Sequence, residues 1–234
     1  MSKRATTLRS HRAPEWLQPL LEGLHDVDAA ALSYHRVPSP AVRRRAAVLV
    51  LLADNAVHGP DVLLVKRAST LREHAGQVAF PGGGAEPGDG DPVATALREA
   101  EEETGLEPSG VAALTLLPEL YVPPSGFVVT PVLAHWERPS AVHAVDQGET
   151  AAVVRVPLAA LADPANRLRV AHPSGFTGPA FAVTGLLVWG FTGGLLSALL
   201  DLGGWARPWD TTRVQGVGAA WSAARAARQE VAGS

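Results

Sequence analysis

Hydrophobic positions in this chain follow two different periods, and the changes between them mark out its elements. "RRRAAVLVLLAD" and "DVLLVKR" are dominated by Val and Leu and read as two strands, separated by the turn region "NAVHGP". Three more strand-like runs follow later, "LTLLPELYV", "FVVTPVLAHW" and "TAAVVRVPL", divided by Pro, Gly, Ser and Asp. Between the two groups the period becomes helical from Pro92 to Thr104. Asp91 is the predicted N-cap, Pro92 takes the first helical position and Gly105 supplies the stop. Strands on both sides of a helix predict an α/β or α+β sandwich. Ahead of them, Trp16, Leu17, Leu20, Leu21 and Leu24 recur at helical spacing behind Pro14, which predicts a short amphipathic helix packed on the domain. The expected division is an extension over 1–40, a domain over 41–204 and a weakly helical tail over 205–234.

One apolar run tests that division. From Val170 to Leu200 there is no Asp, Glu, Lys or Arg, and "PAFAVTGLLVWGFTGGLLSALL" is long enough to span a bilayer. Yet Gly185, Gly190, Gly193 and Gly194 interrupt it, and no Lys or Arg cluster flanks it to set an orientation. The run is therefore expected to form a short strand, "AFAV", and a buried helix from about Leu187 to Leu202, stopped by Gly203 and Gly204. No membrane partner is expected.

Composition narrows the picture further. With 234 residues, 47% of them hydrophobic, the chain supports one sizeable core with extensions. A net charge of −3 leaves no electrostatic footprint for nucleic acid, so a small molecule is the expected partner. Absence of cysteine removes thiolate metal sites and cysteine nucleophiles. His58, His74, His135, His143 and His172 are scattered without paired spacing, which disfavours a zinc hydrolase. The opening "MSKRATTLRSHRAPEW" has no apolar signal core, so a cytoplasmic location is expected. Oligomeric state is not legible, and a homodimer is left open.

The chemistry gathers in "REAEEETG", Arg98 to Gly105. On a helix Glu99 stands three and four residues before Glu102 and Glu103, so three carboxylates share one face and repel. Upstream, "FPGGG" is a glycine-rich turn able to bring main-chain carbonyls, those of Gly82 and Gly83, close to the helix. Clustered oxygen ligands suit a hard divalent cation, magnesium or manganese, which would offset the repulsion.

The span "GGGAEPGDGDPVATALREAEEETGL" resembles the Nudix box, a Gly and Glu followed by R-E-U-x-E-E-x-G-U with U apolar. Arg98, Glu99, Ala100, Glu102, Glu103, Gly105 and Leu106 fall in register. The first half departs, because the usual glutamate position holds Gly90 between Asp89 and Asp91. The resemblance implies a Nudix-type α/β/α sandwich with a mixed sheet. It also implies that Glu99, Glu102 and Glu103 ligate metal or position water, with Glu99 either a ligand or the base, and that Arg98 orients a glutamate. Another acid from outside the box is common in the family. Glu149 is the first candidate for it, with Asp146 behind.

Immediately before the box, "LLVKRASTLREHAGQVAFPGG" resembles the signature of the coenzyme A pyrophosphatase branch, with Val65 where threonine is usual. This implies substrate-binding roles for Arg67, Arg72, Gly76 and Phe80, and products 3′,5′-ADP and 4′-phosphopantetheine. Arginine's fork of donors suits the phosphates of such a substrate. The alternatives are a Nudix hydrolase of another nucleoside diphosphate derivative, such as ADP-ribose or NADH, and a catalytically silent Nudix-fold sensor.

Overall fold

The computed structural model describes residues 6–32, 44–70, 75–123 and 125–232. Arg72 and the expected boundary near Pro38 and Pro40 lie outside them. In chain order the elements are α1 (Gln18–Gly23), α2 (Ala29–Leu32), β1 (Arg44–Ala53), β2 (Asp61–Arg67), β3 (Val78–Ala79), β4 (Gly82–Gly84), α3 (Pro92–Thr104), β5 (Val111–Leu116) and β6 (Leu120–Val122). There follow β7 (Phe127–Trp136), β8 (Thr150–Pro157), α4 (Leu158–Ala162), β9 (Arg167–Ala171), β10 (Thr177–Val183), β11 (Leu186–Val188), α5 (Gly190–Leu202), β12 (Val214–Gly216) and α6 (Val217–Ala232).

Among the described residues, β1 to β8 make one mixed sheet whose main path is β3-β2-β1-β7-β5. β1 and β7 pair in parallel from Arg44–Phe127 to Leu52–His135, while β2 joins β1 antiparallel at Leu52–Val62. The alternating side chains of β1 divide between two cores. Leu49 and Leu51 pack with Val93, Ala96 and Ala100 of α3 on one face. Val50 and Leu52 pack with Leu17 and Leu20 from the amphipathic N-terminal segment and Leu195, Leu196 and Leu199 of α5 on the other. The result is the α/β/α sandwich, with α3 the one helix on its side among the described residues.

Differences from the sequence reading have local causes. The run "LTLLPELYV" is not one strand: β5 ends at Leu116, and both β5 and β6 pair with β7. The Pro131 carbonyl accepts the Leu117 N–H at 2.9 Å in this gap. The ladder donor that Pro131 lacks would point the same way, so the proline sits where neither short strand needs it. The helix expected from Leu187 begins instead at Gly190. Thr184 and Gly185 both take positive φ, 51° and 76°, and fold Leu186–Val188 back onto β10 as a hairpin. No helix among the described residues is long and apolar enough to cross a membrane. Past residue 205, β12 pairs in parallel with β9, and α6 buries Ala220 and Ala224 against the second sheet, β11-β10-β9-β12.

Candidate active site

The site is built where β4 passes under α3. Its helix has the predicted bounds: Asp91 accepts the Ala94 N–H at 2.8 Å as N-cap, and Gly105 closes the end with φ 67°. Gly82 and Gly83 have separate steric reasons to be glycine. At Gly82, φ is 155° and a Cβ would lie 2.6 Å from the Val48 Cα. A Cβ on Gly83 would lie 2.5 Å from the Glu99 carboxylate. Without side chains, the strand lets the helix carboxylates descend onto its backbone. The Gly82 N–H donates to Glu103 Oε2 at 3.1 Å. Gly82 thus also offers the site its amide, in addition to the carbonyl named from the sequence.

Arg98 divides the three glutamates. Its Nε and Nη2 reach both oxygens of Asp89 at 3.1 and 3.2 Å, and Nη2 also donates to the Gly84 carbonyl at 2.9 Å and to Glu99 at 3.0 Å. Nη1 donates to Glu102 at 2.9 Å. Hydrogen bonding to Arg98, with help from the Glu86 N–H and the Thr95 hydroxyl, holds the Asp89 carboxyl down at about 2. Asp89 in turn raises Arg98 still further above its ordinary range. The irregular first half of the box now has a physical reading. Asp89 clamps the arginine and Asp91 caps the helix, with Gly90 between them.

Glu103 is different. Burial pushes its carboxyl up to about 7, against the opposing pull of the Gly82 N–H and Arg67, while Glu99 and Glu149 add repulsion. Glu99 is raised by burial too, and Arg98 only partly offsets this. Glu102 stays outside, its side chain 58% exposed. The single acidic face expected from sequence is thus split into two inward carboxylates and one outward. Among the described residues no three acidic or histidine side chains converge into a closed metal cage. The donor chemistry nevertheless fits a hard divalent cation: Glu99 and Glu103 are inward, oxygen-only ligands whose charge is under-compensated.

The other expected residues separate by role. Arg67, at the end of β2, places Nη1 3.9 Å from Glu103, and its buried Nε has no hydrogen-bond partner among the described residues. It stands beside the acidic centre. Glu149 is exposed, in the turn before β8, and its carbonyl accepts the Ala68 N–H at 2.8 Å. Its side chain is close enough to raise Glu103. Phe80 is 2% exposed and packs with Leu64 and Val78, so it serves the core and has no surface for substrate. Gly76, with φ 66°, is covered by the Trp221 ring of α6, which a Cβ would meet at 2.8 Å. That glycine makes room for the C-terminal helix. Sequence reasoning missed Asp89 as partner of Arg98; the aspartates flanking the misplaced glycine were the available signal. It also missed Trp221, for which sequence spacing offered none.

The NUDIX domain family profile matches residues 43–174, more than half of the chain, and the protein belongs to that family. It is similar to the uncharacterized Nudix hydrolase NudL of Citrobacter koseri, 37% identical over 164 residues that cover 67% of this chain and 81% of the relative. To the NudL of Cronobacter sakazakii it is 45% identical over 117 residues, 50% of this chain, spanning only 59% of that relative's length. Among solved structures it is similar to the Nudix hydrolase RenU from M. smegmatis, with 22% identity, 69% of this chain and 87% of that one covered, and a TM-score of 0.46. The NUDIX domain of Shewanella oneidensis NrtR, complexed with ADP ribose, aligns with 20% identity over 57% of this chain and 84% of its own, at a TM-score of 0.42.

Proposed function

We propose that this protein hydrolyses the diphosphate bond of a nucleoside diphosphate derivative with the aid of a divalent cation, and that its substrate is coenzyme A or a derivative of it. The observation that carries the hydrolase reading is the inward Glu103, held by the Gly82 amide, beside Arg67 and the Arg98-bound Glu99. Two buried acids with little compensation favour the arrival of positive charge. Bound magnesium or manganese supplies neutralisation of the diphosphate oxygens and orientation of an attacking water. Glu99 and Glu103 would hold it, with Glu102 entering from the exposed side.

The chain's own groups do the rest. Arg67 offers donors to a phosphoryl oxygen from across the acidic centre, in place of its long contact with Glu103. Arg98 fixes the Glu99 carboxylate so that it need not reorganise during reaction. Glu103, with its carboxyl near 7, can hold a proton at neutral pH, and Glu149 stands at the rim. The coenzyme A reading rests on the "LLVKRASTLREHAGQVAFPGG" element, and the products would be 3′,5′-ADP and 4′-phosphopantetheine.

The test is product analysis over a panel containing coenzyme A, acyl and oxidised forms, ADP-ribose and NADH, with magnesium or manganese. Preferential cleavage of the coenzyme A group is expected. Preference for ADP-ribose or NADH would replace that substrate by another diphosphate, and no turnover of any member would leave the sensor reading. Arg67→Ala should lower kcat/KM on all cleaved substrates alike, by roughly one to two orders of magnitude for a lost charged hydrogen bond. A loss confined to coenzyme A would place Arg67 on a phosphate that only coenzyme A carries.

A further inference from the structure

The chain between β7 and β8, residues 137–149, holds no helix or strand, yet it is fastened on two sides of the acidic centre. A connection of this length without structure of its own is uncommon in a compact domain and is usually functional. Val142 packs into the core that α3 shares with the sheet, and its neighbours supply the end of that helix with donors. The His143 N–H donates to the Thr104 carbonyl at 2.9 Å, and the Val145 N–H to the Glu103 carbonyl at 3.3 Å. Both acceptors belong to the last turn of α3, where carbonyls have no partner within the helix. Gly105 permits the close approach, since a Cβ there would lie 3.0 Å from the His143 ring.

The other end of the segment is fastened to β2. The Ala68 N–H, one residue past Arg67, donates to the Glu149 carbonyl at 2.8 Å, and Thr150 is the ladder partner of Arg67. Glu103 and the neighbour of Arg67 are thus tied by their main chains to one short piece of chain, although they lie on different elements. Between the two anchors stands Asp146. Its carbonyl accepts the N–H groups of Glu149 at 3.2 Å and Thr150 at 2.8 Å, and its Oδ1 accepts the Gly148 N–H at 2.7 Å. An aspartate that closes a turn on the residues after it fixes the backbone there. Sequence alone ranks Asp146 behind Glu149 as an acid from outside the box, but its carboxylate is engaged by the turn.

We propose that Asp146 is a positioning residue for the acidic centre: its turn holds the end of α3 to the end of β2 and so keeps Glu103, Arg67 and Glu149 together. The assignment rests on the hydrolase reading and deepens it. Asp146 acts through the turn and touches no substrate, so an uncharged side chain of the same shape should replace it. Asparagine supplies the same acceptor oxygen without the charge, and alanine supplies none. Two measurements on wild type, Asp146→Asn and Asp146→Ala test this. One is steady-state kinetics on the preferred diphosphate with magnesium or manganese. The other is amide hydrogen exchange at Ala68 and Val145, with α5 as the control.

Asp146→Ala should lower kcat about tenfold with KM within about twofold, less than the loss that follows a full ångström of misplacement, while Asp146→Asn stays within about twofold of wild type. Exchange at Ala68 and Val145 should quicken severalfold in Asp146→Ala alone, and α5 should not change. Asp146 is exposed, so neither variant disturbs the core. Equal loss of kcat in Asp146→Asn and Asp146→Ala would give the role to the charge itself and overturn the proposal. Unchanged kcat in Asp146→Ala, or the same exchange at Ala68 and Val145 in all three proteins, would overturn it as well. Exchange that quickens in Asp146→Ala alone, in a protein that cleaves no diphosphate, would uphold the hold of the turn on α3 and β2 and remove the hydrolase reading.

Discussion

Arg98 is partly and Arg167 almost fully withdrawn from water, and their surroundings are opposite. Arg98 holds Asp89, Glu99 and Glu102 within 3.2 Å and is raised in pKa. Arg167, 1% exposed in the second sheet, has a hydroxyl partner, Ser197, at 2.6 Å, and its Nε and Nη1 have none among the described residues. Phe181 and Trp209 lie 5.1 and 4.6 Å from its Cζ, and burial lowers its pKa despite Asp201. One region uses arginine to organise a cluster of acids. The other tolerates an incompletely paired charge in apolar surroundings. The carboxylates within reach, more than burial, thus distinguish the two arginines.

The sharpest way to break that comparison is to remove the acids. Glu103→Gln should reduce kcat on any cleaved diphosphate by at least about a hundredfold while circular dichroism stays native, and chelation of the divalent cation should abolish turnover of wild type. A folded Glu103→Gln with near-normal kcat would show that the inward acid is dispensable. Arg98→Lys comes next, with an expected loss of about tenfold or more. A single ammonium cannot reproduce the fork that reaches Asp89, Gly84, Glu99 and Glu102 together. Full activity in Arg98→Lys would mean that charge alone suffices.

The same two regions differ in how openly the sequence announces them. The bounds of α3 were legible because capping is local: Asp91 and Gly105 act on their own helix. That β1 is a strand was legible from its run of Val and Leu, but not the division of its two faces between two cores, because both faces are apolar. The resemblance implied that Arg98 orients a glutamate, as its bonds to Glu99 and Glu102 do, but that Asp89 and Gly84 draw the arginine among them was not legible, since a helical wheel shows neither. Nor was the contact of Arg67 with Glu103, which depends on where β2 ends relative to α3. In the second sheet the Thr184–Gly185 hairpin was hidden because a β-branched residue rarely takes positive φ. The packing of α6 was hidden because Ala220 and Ala224 carry little hydrophobic signal, and because Trp221 meets Gly76 across most of the chain.

Stability against pH sharpens the contrast at smaller scale. The Glu103 carboxyl is raised from 4.5 to about 7, so between those values the folded protein binds its proton more tightly than the unfolded chain. Stability from this group is present below about pH 4.5 and is lost as pH rises toward 7. Asp89 runs the other way: lowered from 3.8 to about 2, it supports the fold above 3.8 and loses that support as pH falls through about 2. Denaturant midpoints in chelator should therefore fall from pH 5 to pH 7.5 in wild type relative to Glu103→Gln. Parallel curves for the two proteins would contradict the buried acid, and added magnesium should restore wild type alone.

The smallest expected effect lies at Arg167. If charge there has no partner to organise, replacing it by an apolar side chain of similar reach should be close to neutral, because the lost ring contacts and the Ser197 bond are set against relief from burying an incompletely paired cation. Arg167→Met is expected to shift unfolding free energy by no more than about 1 kcal/mol in either direction and to leave kcat/KM on the preferred diphosphate unchanged. Arg167→Ala serves as the control, since it leaves a void between Phe181 and Trp209 and should destabilise by about 2 kcal/mol or more. Loss of activity in a stable Arg167→Met protein would connect the second sheet to the acidic centre. A large loss of stability in Arg167→Met, equal to that of Arg167→Ala, would show that the guanidinium is electrostatically satisfied where it lies, and the difference between the two regions would then be one of partners and not of purpose.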